Sequence, residues 1–290
     1  MENLKSKILQ TAAPPITSFP LIANMLSILW LDKEKTLPWI CDRFIQLVAR
    51  NDIQFNFPLG GNFYEYEVCS DLPIFIVCPY LKQSRFERMI IDKFSPTLTD
   101  FIRFCIDNDY YLHLCLDPYY ISSSQNYNKR HFNHPTFIYG YDEEKIYLKD
   151  FYSSGYKEYS AGYDDINTAY VSVLNNEFET RKYYGMVSMF KYSPVEYAFS
   201  IDKVIEDYTD YLNCTDRLHM YRDDIFYAEL DGYLYGLDYY DALAYKIENC
   251  LYDVRPFHVL YDHKVLQEIR VRYMIENELI NGGEEILSEC

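Results

Sequence analysis

Apolar and polar positions along the chain change period several times, and each change predicts an element. Residues 5–15 end in Ala12-Ala13-Pro14-Pro15 and predict an extended arm. From Ser18, apolar Leu21, Ala23, Met25, Leu26, Leu29 and Trp30 follow at mixed three- and four-residue spacing, which predicts a helix. Thr17 or Ser18 would cap it, Pro20 suits its first turn, and its nearly all-round apolar surface predicts burial. A second helix is expected over 38–49. Residues 52–70 read as irregular around a Gly60-Gly61-Asn62 turn, and 73–80 as a short β run. A helix over 98–107, with Thr97 or Thr99 near its start, leads into strands at 110–116, 136–141, 145–151 and 184–190. Asp142-Glu143-Glu144 joins the middle two strands as a hairpin, and 164–173 reads as a short helix. Beyond Ser193-Pro194 the pattern is helical, at 201–212, 238–251 and 265–279. Helices, then antiparallel strands, then helices predict an α+β fold: a domain over 1–192 and a helical region over 193–290.

Composition narrows the partners. The chain has 290 residues, ample for a sizeable core, and its 44 acids against 27 bases give a net charge of −17. With no Lys/Arg-rich stripe to offset that charge, nucleic acid and anionic lipid are not expected as partners. No run of about 20 apolar residues predicts a membrane span. The start, Met1-Glu2-Asn3-Leu4-Lys5, lacks the order of a secretory signal, and the eight cysteines show no CxxC pair. A cytoplasmic protein with free thiols is the expectation.

The chemistry concentrates in His131-Phe132-Asn133-His134-Pro135-Thr136-Phe137-Ile138-Tyr139-Gly140-Tyr141-Asp142 and Tyr147-Leu148-Lys149-Asp150-Phe151. His134 opens one strand and Asp150 lies near the end of the next, so an antiparallel pair brings them side by side. A carboxylate there can hold an imidazole in one tautomer, as a general base needs. The structural alternative is a solvated histidine and aspartate at a sheet edge.

This His-x-x-φ-φ-x-Gly-Tyr-Asp run, followed by φ-x-φ-x-Asp, resembles the His/Asp half of papain-like folds. It is similar to the family of bacteriocin-processing peptidase domains and the butirosin biosynthesis protein H N-terminal domain. Pro14-Pro15-Ile16-Thr17-Ser18, Leu26-Ser27-Ile28-Leu29, Pro38-Trp39-Ile40 and Arg255-Pro256-Phe257-His258 are similar to proteins encoded near nonribosomal-peptide assembly lines. The resemblance implies a papain-like antiparallel sheet packed on a buried N-terminal helix. It places Ser18, with Thr17 one residue away, where those families have a nucleophilic cysteine; no cysteine precedes Cys41. Ser18 would attack, His134 would act as base and then acid, and Asp150 would orient His134. The oxyanion would rest on the Ser18 and Phe19 N–H groups with Gln10, and Ser18 as a plain N-cap stays open. The implied activity is acyl transfer in specialised-metabolite biosynthesis. An acyl or aminoacyl group would pass from a carrier-protein phosphopantetheine thioester to a small amine, forming an amide, with no cofactor. The alternatives are a catalytically silent protein that binds a carrier, peptide or pathway product, and a peptidase-like hydrolase.

The remaining candidates are weaker. Tyr119, Tyr139 and Tyr152 flank the proposed pair and suit an acyl-binding pocket, in a chain with 32 tyrosines. His131 and His134 lack a third metal ligand, so no metal is expected. His113 alternates with leucines and reads as a strand-face histidine, in the core or lining a pocket. His258, Asp262 and His263 read as structural polar groups at the last helix. Cys78, Cys105 and Cys115 read as small core residues, whereas Cys41 and Cys69 are left open. Self-association into a homodimer is also left open.

Overall fold

In a computed structural model, residues 6–50, 60–63, 78–153, 155–174, 186–216, 233–249 and 253–289 are described. They fall into two compact units, one formed by 1–32 with 75–195 and the other by 33–74 with 196–290. The expected division after 192 has no place for the excursion 33–74, which groups with the C-terminal residues. Among the described residues no helix is long and apolar enough to cross a membrane.

The first unit is built on an antiparallel sheet. Its strands are β1 (Lys7–Ile8), β4 (Leu81–Glu87), β5 (Tyr111–Leu116), β6 (His134–Tyr141), β7 (Lys145–Ser153), β8 (Gly155–Gly162) and β9 (Met186–Tyr192). Their order is β4-β9-β5-β6-β7-β8, with β1 added beside β6. Register explains the alternation in sequence. Leu112 pairs with Ile138, Leu114 with Thr136 and Leu116 with His134, while Ile138 pairs with Leu148, so these side chains share one face. Helices α4 (Leu98–Asp107) and α5 (Tyr163–Leu174) pack on that face, burying Ile102, Cys105, Ile106, Ile166 and Ala169. His113 pairs with Phe137, and Phe137 with Lys149, on the opposite face. Helix α1 (Pro20–Leu29) lies against β6 and β7 there, since its Asn24 meets His113. Gly140 has a local reason: a Cβ would stand 2.9 Å from the Ile8 Cα, so only glycine lets β1 pair with β6.

Several expectations are corrected here. Helix α1 starts at Pro20 with Phe19 in the cap position and no side-chain cap, so Ser18 is not the N-cap. Strands β4 and β8 and the helix α3 (Arg88–Phe94) were not expected. Polar Lys82, Gln83, Ser84 and Arg85 mask β4, which is a sheet edge with alternating exposure. The expected 73–80 run lies outside the described residues as far as 77, and 78–80 is a turn.

The second unit holds α2 (Lys33–Cys41), α6 (Ile201–Leu212), α7 (Asp238–Glu248), α8 (Arg255–Glu276) and α9 (Gly283–Glu289). Strands β2 (Leu47–Arg50), β3 (Gly60–Phe63) and β10 (Tyr233–Tyr235) form a sheet in the order β10-β2-β3. The helix expected over 38–49 therefore ends at Cys41. Phe44 takes φ 58°, and the buried Arg270 guanidinium donates to the carbonyls of Cys41 and Arg43. A side chain distant in sequence thus satisfies the helix end. Gly60 and Gly61, expected as a turn, instead pair with Arg50 and Ala49. Helix α8 begins ten residues before the expected 265, with Pro256 in its first turn, where the missing N–H costs no hydrogen bond.

Candidate functional site

The end of the first unit's sheet brings His134 and Asp150 together. His134 is the first residue of β6, and the β6–β7 register carries Asp150 beside Thr136. The imidazole Nε2 is 2.7 Å from Asp150 Oδ1. That same oxygen accepts from the Phe151 N–H at 2.6 Å, and Oδ2 accepts from the Thr136 hydroxyl at 3.1 Å. Asp150 is fully buried, whereas the His134 side chain is 22% exposed. Burial raises the Asp150 carboxyl above its ordinary value, opposed by His134, the Phe151 N–H and the Thr136 hydroxyl. With Nε2 turned to the carboxylate, Nδ1 is the ring nitrogen on the other side, suited to exchanging a proton.

Tyrosine surrounds this pair unevenly. Tyr152 is buried, its ring centroid is 5.7 Å from that of His134, and its hydroxyl pairs with Thr136. Burial holds the Tyr152 hydroxyl well above its usual value, and the Asp150 charge adds to the effect. Tyr119, on a 3-10 turn at Pro118–Tyr120, instead stacks on His131 with 3.8 Å between centroids. Tyr139 is buried beside Lys149, on the other side of the sheet from Asp150.

The N-terminal candidates lie elsewhere on the same unit. Ser18 and Thr17 precede α1, whose Asn24 accepts from Tyr156 at 2.6 Å and donates to His113 Nδ1 at 3.4 Å. These contacts tie α1 to His113 and Tyr156, which feel the charges of His134 and Asp150 respectively. Among the described residues no hydrogen bond joins Ser18 to His134. Gln10 is exposed, and its backbone carbonyl accepts from the Tyr111 hydroxyl at 2.6 Å. His113 is buried, and desolvation, followed by Arg85 and His134, lowers it to about 3, a neutral core histidine.

Sequence reasoning missed a second cluster at the same sheet end. Asp117, fully buried, directly follows β5. Its Oδ2 is 2.7 Å from His131 Nδ1 and accepts from the Ser172 hydroxyl at 2.7 Å, while Oδ1 accepts from the Tyr119 and Phe132 N–H groups. Asp-Pro after an apolar strand was the available signal, since aspartate caps short helical turns.

Cys78, Cys105 and Cys115 are buried free thiols, and burial pushes Cys105 up to about 12. Cys41 is also buried and raised to about 12, mainly by desolvation; Cys69 lies outside the described residues. His263 is buried with Nε2 2.8 Å from the Ile45 carbonyl oxygen, and buried Asp262 lies 3.6 Å from His258. Among the described residues no cluster of three His, Cys, Asp or Glu side chains is placed to hold a metal ion. A cavity of about 350 Å³ between α3 and α4, lined by Phe86, Ile90, Ile91, Phe94, Phe101 and Phe104, shares no lining residue with either His–Asp pair. No protein-family model and no curated protein matches the chain.

Proposed function

We propose that the first unit is a papain-like acyltransferase domain in which His134 is the general base and Asp150 orients it. The observation that carries this reading is the 2.7 Å bond from His134 Nε2 to a fully buried Asp150, whose other oxygen is held by Thr136. A carboxylate fixed on both oxygens selects the tautomer with its proton on Nε2, so Nδ1 offers a lone pair. Such a base accelerates proton transfer by about 10²–10⁴-fold.

In the reaction we propose, Ser18 Oγ attacks a carrier-bound thioester carbonyl as its proton passes to His134 Nδ1. The C–S bond breaks, and the departing sulfur takes that proton to leave as a thiol. An amine then attacks the resulting ester and loses a proton to His134. The C–O bond breaks as that proton returns to Ser18 Oγ, leaving an amide. The N–H groups ahead of α1, with Gln10, are the proposed oxyanion donors, and Tyr152 is a wall beside the base.

A second reading, a catalytically silent protein that binds a carrier, peptide or pathway product, draws on one observation. Ser18 and His134 share no hydrogen bond among the described residues. Intact-protein mass spectrometry after exposure to acyl-pantetheine thioesters separates the two. The acyltransferase reading expects an adduct that maps to Ser18 and disappears in His134→Ala. An adduct seen only in Ser18→Cys would favour a silenced site, and none in any chain would favour the binding protein.

A further inference from the structure

The structure assigns a second acid–base group to the same sheet end: we propose that His131, held by Asp117, deprotonates the amine acceptor. This role rests on the acyl-transfer reading above and deepens it by naming the acceptor as a basic amine that arrives as its ammonium ion.

The argument starts from Asp117. A fully buried carboxylate is costly unless it is satisfied, and this one receives the His131 ring, the Ser172 hydroxyl and two backbone N–H groups. The His131 side chain is 46% exposed, with Nδ1 committed to Asp117 and one face covered by Tyr119. Its Nε2 is therefore the ring nitrogen left to exchange a proton, in a fixed tautomer, the same logic that orients His134 with the nitrogens exchanged.

Position links the two pairs. Leu116 is registered with His134, and Asp117 is the next residue, so the Asp117 and His134 Cα atoms lie within about 9 Å of each other. The Tyr152 hydroxyl, paired with Thr136, feels the charges of both Asp150 and Asp117. Phe132 packs its ring edge against His134 at 5.6 Å, while its N–H points to Asp117. One short segment, 131–134, thus presents two imidazoles, each anchored to its own buried aspartate.

Amide formation from an ammonium ion needs two proton removals, and one base cannot hold both protons. In the assigned sequence, His131 Nε2 takes the first proton from the ammonium ion and releases it to water. The freed lone pair forms the C–N bond at the acyl carbonyl. His134 takes the second N–H proton and returns it to Ser18 Oγ as the C–O bond breaks. The net charge of −17 favours a cationic acceptor over an anionic one.

The test loads the full chain from an acyl-pantetheine thioester, then measures single-turnover transfer to two amines. Butylamine is protonated at neutral pH, whereas methoxyamine is not. His131→Gln should keep the acyl adduct and its transfer to methoxyamine, yet transfer to butylamine should fall by about 10²-fold or more. Asp117→Asn should show the same selective loss. Equal loss with both amines would mean that His131 only holds the loop, and no loss with either would mean that it is idle. Each of these results overturns the proposal while acyl loading still stands. No adduct on the unsubstituted protein would overturn the acyl-transfer reading and this role with it.

Discussion

The end of the first unit's sheet and the interior of the second unit both gather histidine, tyrosine and buried polar groups, and they use them in opposite ways. At the sheet end, His131 and His134 each spend one ring nitrogen on a buried aspartate and keep part of the ring exposed. In the second unit His263 is buried, stacks on Tyr211, and has Nε2 against the Ile45 carbonyl and the Gln267 amide. Its neighbour Arg270, also buried, spends its guanidinium on the Cys41 and Arg43 carbonyls and on Gln267. His113 shows that the contrast follows environment rather than unit, since it is buried and neutral one strand away from His134. A histidine tied at one nitrogen and exposed at the other can move protons. One sealed in the core supports packing and lowers tolerance to acid.

The sharpest way to break this comparison is at Asp150. Asp150→Asn removes the carboxylate that selects the His134 tautomer, so acyl loading of the protein should slow by about 10³–10⁴-fold with little change in secondary structure. Time-resolved intact mass and circular dichroism would check both halves. Next in size is Arg270→Met, which leaves the Cys41 and Arg43 carbonyls without their donor. The second unit should lose about 3 kcal/mol of stability in urea unfolding, and acyl loading by the first unit should persist at a denaturant-free pH near neutral.

Acid sharpens the contrast further. His113 and His263 sit at about 3 in the folded chain, against an ordinary value of about 6.5 once unfolded. Below about pH 6.5 the unfolded chain takes protons that the folded chain refuses. Stability is therefore complete above that value and falls toward about pH 3, at about 1.4 kcal/mol per pH unit for each histidine. Urea unfolding from about pH 7 to about pH 5 would measure the slope, and His113→Gln or His263→Gln should remove one histidine's share. The smallest effect is a matched pair of caps. Thr97 accepts from the Asp100 N–H in the first unit, and Ser200 from the Lys203 N–H in the second. Replacing either by alanine should cost about 1 kcal/mol in thermal or urea unfolding.

Much of the first unit was legible because its signals are local. Alternation marked β5, β6 and β7, and Asp142 accepting from the Glu144 and Lys145 N–H groups closes the expected hairpin. The pairing of His134 with Asp150 follows from that hairpin's register, which sequence spacing alone can count. The pair of His131 with Asp117 could not be counted in this way. It closes the long β5–β6 connection on itself, from the residue after β5 to the loop before β6, past the 3-10 turn, and no strand register fixes that separation. Strand β4 was hidden for another reason: an edge strand with alternating exposure has little need of an apolar run.

The sequence by itself determined the α+β class, the antiparallel strands at the centre of the sheet and the segment that carries its histidines. Periodicity and turn chemistry act over a few residues, and that is enough for those features. Only the tertiary structure decided that α2 stops at Cys41, that Phe19 rather than Ser18 takes the cap position of α1, and that 33–74 belongs with the C-terminal unit. It also decided which histidines are sealed and which keep part of the ring exposed. Those outcomes depend on partners far away in sequence, such as Arg270 on the α2 carbonyls and Asn24 on His113, and on how much water each group retains.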